Sequence, residues 1–259
     1  MPNTIKQRLH AGKGCVNGWL AIPDGFAAET MARCGWDSLT VDLQHGVQDY
    51  MSMVRCYQAM AAFPPTPLVR VPWNEPGIIG KVLDGGAMGV ICPMVNTRAQ
   101  AEALVAAAKY PPHGSRSNGP IRAALYGEIS DYQRTANDEV MVIPMIETRE
   151  ALDNLDAILD VPGIDMIYVG PSDLGFSLGM APRTDREEPE ILAIYERLLR
   201  ETGRRGIYAG IHNATPAYAA RMLGMGFRFV TIANDSGLLA RAATETVGAV
   251  RAAAGALTA

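Results

Sequence analysis

The stretch MVIPMIETREALDNLDAILDVPGIDMIYVGPSDLG, residues 141–175, contains two apolar runs separated by an amphipathic segment. The runs, 141–147 and 166–171, have the length of buried strands. The segment between them carries apolar residues at three- and four-residue spacing, which is typical of a helix that packs on one face. A strand, a helix and a second strand in this order predict two parallel strands joined by a crossover helix.

The same alternation extends over most of the chain. β-like runs, each followed by a helical stretch, recur at residues 16–22, 38–44, 67–71, 89–95, 141–147, 166–171, 208–213 and 227–234. Eight such units predict a closed (β/α)8 barrel of the TIM type, with residues 1–259 forming a single domain. An open, doubly wound sheet is the alternative, but no G-x-G-x-x-G sequence follows the first run. We interpret the long irregular stretch 110–139 as a lid over an active site.

Composition and charge restrict the class of protein. The chain is 48% hydrophobic with a net charge of −4, and it lacks the long basic runs typical of nucleic-acid-binding proteins. The first 25 residues lack the apolar core of a signal peptide, and no apolar run is long enough to cross a membrane. Cys15, Cys34, Cys56 and Cys92 include no C-x-x-C pair, so we predict neither a disulfide framework nor a cysteine metal site. We expect a soluble cytoplasmic protein.

Polar residues gather where the predicted strands end, and the carboxyl ends of barrel strands form the rim at which catalysis occurs. They are Asp42, Gln44, His45, Arg70, Glu147, Asp173, His212, Asn213, Asn234 and Asp235. Each has a plain structural explanation, such as an ion-paired arginine or an acid near a helix N-terminus. Together they place acids, a base and a permanent cation at one rim, which favours a functional site. Strand alternation puts Asp42 on the face opposite Leu39 and Val41, so we expect Asp42 to point into the barrel.

Glu147 and Asp173 form the first specific hypothesis. They follow consecutive strands, which lie about 5 Å apart when they are neighbours. Two carboxylates with open positions for water and substrate suit a hard divalent cation such as Mg²⁺ or Mn²⁺. The Gly-Pro turn before Asp173 leads into a helix, and the free N–H groups of Ser172 and Asp173 could seat a substrate carboxylate.

Lysine usage argues against a Schiff-base enzyme. The four lysines, Lys6, Lys13, Lys81 and Lys109, all lie outside the predicted strands. A Schiff-base enzyme on this fold needs a lysine that reaches into the barrel. A phosphosugar site is also poorly supported, because the ends of the last two strands lack a glycine-rich phosphate cradle.

Six segments of the chain together carry a resemblance to a known family. They are VDLQHG (41–46), LVRVPWNEP (68–76), KVLDGGAMGVICPMVNT (81–97), AKYPPHGSRSNGP (108–120), IPMIETREALDNLDAIL (143–159) and GIDMIYVGPSDLGFSLG (163–179). These segments resemble the metal-dependent class II pyruvate aldolases, which include 4-hydroxy-2-oxoheptanedioate, 2-keto-3-deoxyglucarate and 2-keto-3-deoxyrhamnonate aldolases. The similarity extends from about residue 16 to residue 240. It implies reversible retro-aldol cleavage of 4-hydroxy-2-oxo acids to pyruvate and an aldehyde through a metal-bound pyruvate enolate. It also implies a last helix exchanged between subunits, and a homohexamer built as a trimer of dimers.

The resemblance assigns roles to single residues. Glu147 and Asp173 correspond to the family's metal ligands, for Mg²⁺ or Mn²⁺ with Co²⁺ or Zn²⁺ as further options. Arg70 is expected on the keto oxygen of pyruvate, while the backbone of Gly170, Pro171, Ser172 and Asp173 holds its carboxylate. His45 is the expected base, partnered by Asp42, because histidine is well suited to proton transfer at neutral pH. Asp84 corresponds to an acid that the family supplies to this dyad from a neighbouring subunit.

Several positions depart from the family pattern, and we therefore assign no physiological substrate. Met145 stands where many relatives have Gln, Gln44 where they often have Glu, and Ser117 where Gly is common. His212 stands where some relatives have an apolar residue and others a histidine, and we include it among the substrate-binding residues. Phe176, Trp73 and His113 could shape the aldehyde pocket or serve packing alone.

Two other functions remain open. The same metal site could decarboxylate oxaloacetate, a reaction in which His45 should matter little because no hydroxyl proton is removed. A catalytically silent barrel that binds a small acid, or acts as an assembly subunit, is the alternative from another class. The Ala-rich, amphipathic C-terminal segment could be an exchanged helix or could pack on its own barrel.

Overall fold

The computed structural model describes residues 2–258 and contains eight parallel strands in a closed barrel. Each strand pairs with the next along the chain, and β8 closes the barrel on β1. The strands are β1 (Cys15–Leu20), β2 (Ser38–Asp42), β3 (Thr66–Arg70), β4 (Gly89–Cys92), β5 (Met141–Ile146), β6 (Met166–Val169), β7 (Tyr208–Asn213) and β8 (Phe229–Ile232). The (β/α)8 prediction is confirmed. Most strands end earlier than the apolar runs, so that Gln44 and His45 lie in the turn after β2.

Helices connect the strands around the outside of the barrel. They are α1 (Thr4–His10), α2 (Gly25–Ala32), α3 (Tyr50–Met60), α4 (Pro76–Asp84), α5 (Arg98–Ala108), α6 (Ile129–Glu139), α7 (Arg149–Asp153), α8 (Leu155–Leu159), α9 (Pro171–Ser177), α10 (Pro189–Arg204), α11 (Pro216–Met225) and α12 (Asp235–Thr258), with a 3₁₀ helix at Ala123–Tyr126. Most begin at a side chain that accepts backbone N–H groups of the first turn, such as Asp24, Asp49 or Thr97. No helix within residues 2–258 is long and apolar enough to cross a membrane.

Side-chain alternation divides the core into two parts. Leu39 and Val41 belong to the outer core between the strands and the helices. The barrel interior is filled by a second cluster that includes Leu68, Ile143 and Met145. Asp42 and Glu147 continue the inward-facing series at the carboxyl ends of their strands, as period-2 alternation requires.

The segment 110–139 is not a lid, and this part of the sequence interpretation is wrong. It contains the 3₁₀ helix and α6, and it connects the end of α5 to the start of β5. In a (β/α)8 barrel such a connection lies at the amino-terminal face, opposite the catalytic rim. The N–H of Arg122 accordingly donates to the carbonyl oxygen of Asp84 at 3.1 Å, and the Tyr126 hydroxyl donates to the carbonyl oxygen of Gly86 at 3.0 Å. His113 belongs to the same segment and is therefore remote from the rim of its own barrel.

The last helix, α12, contacts the barrel only near its start. The Asp235 carboxylate accepts the backbone N–H groups of Ala21 and Ile22 at 2.8 and 3.1 Å, which fixes the beginning of α12 beside the end of β1. Residues 239–255 are all exposed. A helix of 24 residues with this many alanine, valine and leucine side chains is therefore unpacked along most of its length.

Candidate active site

Asp42 and Arg70 form a bidentate ion pair at the carboxyl ends of β2 and β3. The two residues are register partners. The Nε and Nη2 atoms of Arg70 donate to Oδ1 and Oδ2 of Asp42 at 2.8 and 2.6 Å. Burial acts to raise the pKa of Asp42, but the hydrogen bonds and charge of Arg70 hold it below its ordinary value. Asp42 is therefore a fixed anion that orients the guanidinium group, an arrangement favoured by the planar geometry of arginine.

Arg70 also contacts an aromatic ring, that of Trp19, which the sequence analysis did not single out. Its Cζ atom lies 4.9 Å from the centre of the Trp19 ring, which projects into the barrel from β1. A cation over an indole face is attracted by the ring quadrupole. The guanidinium group thus has two fixed neighbours, one ionic and one aromatic, before any ligand binds.

The turn after β2 presents His45 at the rim. Oδ1 of Asp42 accepts hydrogen bonds from the backbone N–H groups of Gln44 and His45 at 3.1 and 3.3 Å. Asp42 therefore orders this turn in addition to orienting the Arg70 guanidinium group. A Cβ atom on Gly46 would lie 2.4 Å from the carbonyl oxygen of Asp42, which explains glycine at this close approach. The His45 residue is exposed, and within residues 2–258 its imidazole forms no hydrogen bond to Asp42. The single chain does not form the side-chain dyad that the resemblance implied.

Glu147 lies directly after β5 and is buried, with only 2% of its surface exposed. Its Oε1 atom accepts the backbone N–H of Met94 at 2.8 Å. Met94 has a φ angle of 56°, a left-handed conformation that is rare outside glycine and is characteristic of functional sites. Burial raises the pKa of Glu147 to about 7, and the nearby negative charge of Asp173 acts in the same direction.

Asp173 lies in the first turn of α9, and the turn before it leaves space for Glu147. A Cβ atom on Gly170 would lie 2.3 Å from Oε2 of Glu147, so any larger residue there would displace the carboxylate. The helix begins at Pro171, and no side chain accepts hydrogen bonds from the backbone N–H groups of its first turn within the described residues. Those of Ser172 and Asp173 therefore remain available to a ligand.

The donor set fits a hard divalent cation. Within the described residues no hydrogen bond reaches Oε2 of Glu147. The turn at Gly170 lies against this oxygen, and Asp173 follows three residues later in the first turn of α9. Within residues 2–258, no cluster of three or more His, Cys, Asp or Glu side chains could bind a metal. Two carboxylates with the remaining positions open to water and substrate are a usual arrangement for Mg²⁺.

A third group lines the barrel between β6, β7 and β1. The Tyr168 hydroxyl and Nδ1 of His212 lie 3.0 Å apart. The His212 ring meets the edge of Trp19 at 5.2 Å, and Trp19 stacks on Tyr168 at 5.9 Å. Tyr168 and Trp19 were missed by the sequence analysis. Alternation along β1 and β6 could have placed both inside the barrel, but nothing in the sequence shows that they contact Arg70 and His212.

Other predicted residues have structural roles or lie elsewhere. Asn213 is buried and donates to backbone carbonyl groups of its own strand and of β8. Asn234 caps the first turn of α12, and Asp235 fixes the end of β1. Asp84 ends α4 near the amino-terminal face, where it pairs with Arg116 at 2.6 Å. It is therefore not part of the rim of its own chain.

A cavity of about 540 Å³ lies at the amino-terminal face and does not belong to this site. Lys6 and Asp165 pair at 2.7 Å beside it, and the buried Lys109 ammonium donates to backbone carbonyl groups, including that of Val140 at 2.6 Å. The charged groups of Lys6, Asp165 and Lys109 thus have partners within the chain. By contrast, the large apolar side chains of Trp73 and Phe176 are exposed near the catalytic rim.

Comparison with known proteins finds relatives that match most of the chain. The family model described as HpcH/HpaI aldolase/citrate lyase matches residues 19–242. A hydroxypyruvate/pyruvate aldolase from Rhizorhabdus wittichii is 39% identical over 251 residues, covering 96% of this chain and 99% of the relative. A 4-hydroxy-2-oxo-heptane-1,7-dioate aldolase from Salmonella dublin is 39% identical over 245 residues, covering 94% and 92%. The crystal structure of an HpcH/HpaI family protein from Burkholderia cenocepacia superposes with a TM-score of 0.89 at 33% identity, covering 96% and 99%.

Proposed function

This chain belongs to the HpcH/HpaI aldolase/citrate lyase family, and from this premise we propose that it is a divalent-metal-dependent aldolase. The proposed reaction is the reversible cleavage of 4-hydroxy-2-oxo acids to pyruvate and an aldehyde. The observation that carries the proposal is the proximity of two groups at one rim. These are the Glu147–Asp173 carboxylates and the Arg70 guanidinium held by Asp42. Cleavage needs a sink for the electrons of the broken bond, and cationic groups at one site provide it.

Glu147 and Asp173 would hold the metal ion, with Mg²⁺ or Mn²⁺ favoured and Co²⁺ or Zn²⁺ as further options. When bound, the ion supplies positive charge that stabilises the negative charge developing on the keto oxygen of the substrate. Arg70 would donate hydrogen bonds to the same oxygen, in an orientation already fixed by Asp42 and Trp19. We assign the substrate carboxylate to the N–H groups that follow Gly170 and Pro171 at the start of α9.

His45 is the proposed base for the C4 hydroxyl. It projects from the rim beside the Asp42–Arg70 pair, and the Asp42 carboxylate orders its backbone. As a neutral imidazole it can take the hydroxyl proton while the bond between C3 and C4 breaks, and in condensation it returns the proton to the new alkoxide. Its imidazole has no partner from Asp42, which leaves it free to meet a residue from another subunit.

Pyruvate release tests the proposal directly. Metal-stripped enzyme is offered 4-hydroxy-2-oxo acids of several chain lengths, without metal and with Mg²⁺, Mn²⁺, Co²⁺ or Zn²⁺ in turn. We expect release only when metal is present, and the chain-length profile will define the preferred aldehyde. Release that is equally fast in metal-free enzyme, or no release with any acid and any of the four metals, would contradict the proposal.

Oxaloacetate decarboxylation is a second candidate function, favoured by one observation. The Arg70–Asp42 pair and the Glu147–Asp173 pair form without any contribution from the His45 imidazole. Loss of CO₂ needs an electron sink but no base for a hydroxyl group. We propose the aldolase as the main function because His45 is presented at the same rim. A silent binding barrel is disfavoured, since a buried carboxylate such as Glu147 is costly to retain without a task.

The exposed helix α12 supports an oligomer in which it packs on a second copy of the chain. Leu239, Val247 and Val250 lie on one face of this helix, and all three side chains are exposed. Arg241 and Glu245 lie on the opposite face. We propose that α12 is exchanged between subunits of a hexamer built as a trimer of dimers, so that its apolar face packs on a neighbouring copy of the chain. In this assembly Asp84 of a neighbouring subunit would approach His45 and take the role of its orienting acid.

Substitution of the apolar face should dissociate this oligomer. The double variant Val247→Asp/Val250→Asp is expected to weaken association at least about 100-fold, because it places two charges in an apolar contact. Light scattering after gel filtration should then give the 27.8 kDa mass of one chain. The matched control Arg241→Ala/Glu245→Ala should keep the wild-type mass. A monomeric wild type, or equal masses for both variants, would contradict the exchanged helix and remove the role of Asp84.

We also propose a cytoplasmic location. All four cysteines are free, with Cys15, Cys56 and Cys92 buried, as is usual for proteins of a reducing compartment.

A further inference from the structure

A buried set of hydrogen bonds runs through the barrel interior toward the rim. The hydroxyl groups of Ser38 and Thr40 both donate to Oδ1 of Asn17, at 2.7 and 3.1 Å. This fixes the orientation of the Asn17 amide, whose Nδ2 atom donates to the hydroxyl oxygen of Thr231 at 3.0 Å. All four side chains are fully buried, so their polar groups depend on one another. The Thr231 oxygen therefore acts as an acceptor, and its own hydrogen must point elsewhere.

The Tyr168 hydroxyl is fully buried at the rim end of this set, and burial raises its pKa, so the tyrosine is protonated. Its hydrogen needs an acceptor. Nδ1 of His212, at 3.0 Å, is that acceptor, because the rings of Trp19 and Phe229 form other walls of the Tyr168 site. If Nδ1 of His212 carried a hydrogen instead, it would be a donor facing the Tyr168 hydroxyl, and the hydrogen of that hydroxyl would have no acceptor at this contact.

The direction of these bonds determines the state of His212. An imidazole whose Nδ1 atom accepts a hydrogen bond carries its hydrogen on Nε2 when neutral. Burial lowers the pKa of His212 to about 4, and the positive charge of Arg70 acts in the same direction. His212 is accordingly neutral near pH 7, with one hydrogen-bond donor left at Nε2.

The position of His212 shows which part of a substrate it can reach. Glu147 and Asp173 follow β5 and β6, Arg70 ends β3, and the proposed function places pyruvate among these three residues. The opposite sector of the barrel consists of β7, β8 and β1. Among the described residues that face the interior from these three strands, His212 is the polar side chain that is partly exposed at the carboxyl end. Trp19 contacts both Arg70 and His212, at 4.9 and 5.2 Å, so the part of a substrate that extends from Arg70 past Trp19 reaches His212.

We propose that Tyr168 is a positioning residue that holds His212 as an Nε2–H donor, and that this donor selects aldehydes with a hydroxyl group next to the carbonyl. The selectivity part of this inference rests on the proposed aldolase function. The Tyr168–His212 assignment does not, because it concerns the resting protein. The preferred aldehydes are then 2-hydroxyaldehydes, whose oxygen accepts the hydrogen bond from His212. An apolar aldehyde of equal size would leave the Nε2–H group without a partner.

The first experiment determines the tautomer without any assay of activity. Solid-state ¹⁵N NMR of enzyme labelled in its four histidines reports the protonation of each ring nitrogen, whatever the oligomer size. The double variant Tyr168→Phe/His212→Leu removes both partners together and identifies the His212 signals by their absence. At pH 7 we expect a neutral Nε2–H ring in the wild type, and a displaced Nδ1 resonance in Tyr168→Phe. A wild-type Nδ1–H ring, an imidazolium, or an unchanged Nδ1 resonance in Tyr168→Phe would overturn the assignment.

The second experiment measures selectivity with two aldehydes of similar size, glycolaldehyde and propanal, each condensed with pyruvate in the presence of Mg²⁺. The ratio of their kcat/KM values should fall about threefold in Tyr168→Phe and about tenfold in the double variant. The control His113→Asn, at the opposite face, should leave the ratio unchanged. A parallel loss for both aldehydes in the double variant would overturn the selectivity. If the wild type condenses neither aldehyde, the proposed function and the selectivity both fall, while the NMR result still decides the Tyr168 assignment.

Discussion

Glu147→Gln is expected to abolish metal-dependent pyruvate release, by about 10³-fold or more, while making the metal-free protein more stable. The glutamine can still accept the Met94 N–H at Oε1, so the local backbone should be kept. It cannot supply an anionic oxygen beside Asp173, and a hard divalent cation then loses one of its two protein ligands. Activity and stability should therefore move in opposite directions, which is typical of a residue kept for function.

The gain in stability of metal-free Glu147→Gln over the wild type should increase as the pH rises. Burial raises the pKa of Glu147 from an ordinary value of 4.5 to about 7, so between these values the folded metal-free protein binds the extra proton. The stabilisation from protonated Glu147 is fully present below about pH 4.5, and it is lost as the pH rises through 7. Glu147→Gln does not titrate. Its advantage over the wild type in the free energy of unfolding should grow from near zero at pH 4 to roughly 3 kcal/mol at pH 8.

Chemical denaturation of the two metal-free proteins at several pH values would measure this difference in the free energy of unfolding.

Gly170→Ala should displace the Glu147 carboxylate by steric contact, since its new Cβ atom would lie 2.3 Å from Oε2 of Glu147. It should weaken metal binding at least about tenfold, as read by titration calorimetry with Mn²⁺. Gly203→Ala has open space around its Cβ atom and serves as the control. Wild-type metal affinity in Glu147→Gln would disprove the assignment of the metal ligand.

The sequence was most informative where local pattern and barrel geometry coincide. The apolar runs located all eight strands, and the acids after β5 and β6 were predicted as neighbours because consecutive strands pair in a barrel. Asp42 was predicted to point inward from alternation alone. Its partner was harder to predict, since the register of β2 against β3 places Arg70, rather than the His45 imidazole, against the carboxylate.

The rest depends on contacts between residues that are distant in sequence. The length of segment 110–139 favours a lid, but its place between α5 and β5 puts it at the opposite face of the barrel. Tyr168 and Trp19 resembled ordinary core residues, and only their contacts with His212 and Arg70 connect them to the site. The left-handed backbone of Met94 has no sequence signature of its own, since glycine is the residue normally expected there.

His45→Ala should separate the two chemistries that this rim could support. Cleavage of a 4-hydroxy-2-oxo acid is expected to fall by about 10²- to 10⁴-fold, the usual loss on removal of a general base. Oxaloacetate decarboxylation should stay within about threefold of the wild type, because that reaction needs the cationic site but removes no hydroxyl proton. His45 is exposed and packs into no core, so the variant should fold normally.

Both rates are measured on the same enzyme preparation with saturating Mn²⁺, which makes decarboxylation the internal control for an intact metal site. Arg70→Lys is the matched comparison, because it keeps a positive charge but loses the bidentate contact to Asp42. It should slow both reactions, since both need the electron sink. If His45→Ala instead slows both reactions equally, His45 acts on the cationic site and is not the base. If it slows neither, while the wild type cleaves no hydroxy-oxo acid, the decarboxylase becomes the better description of this barrel.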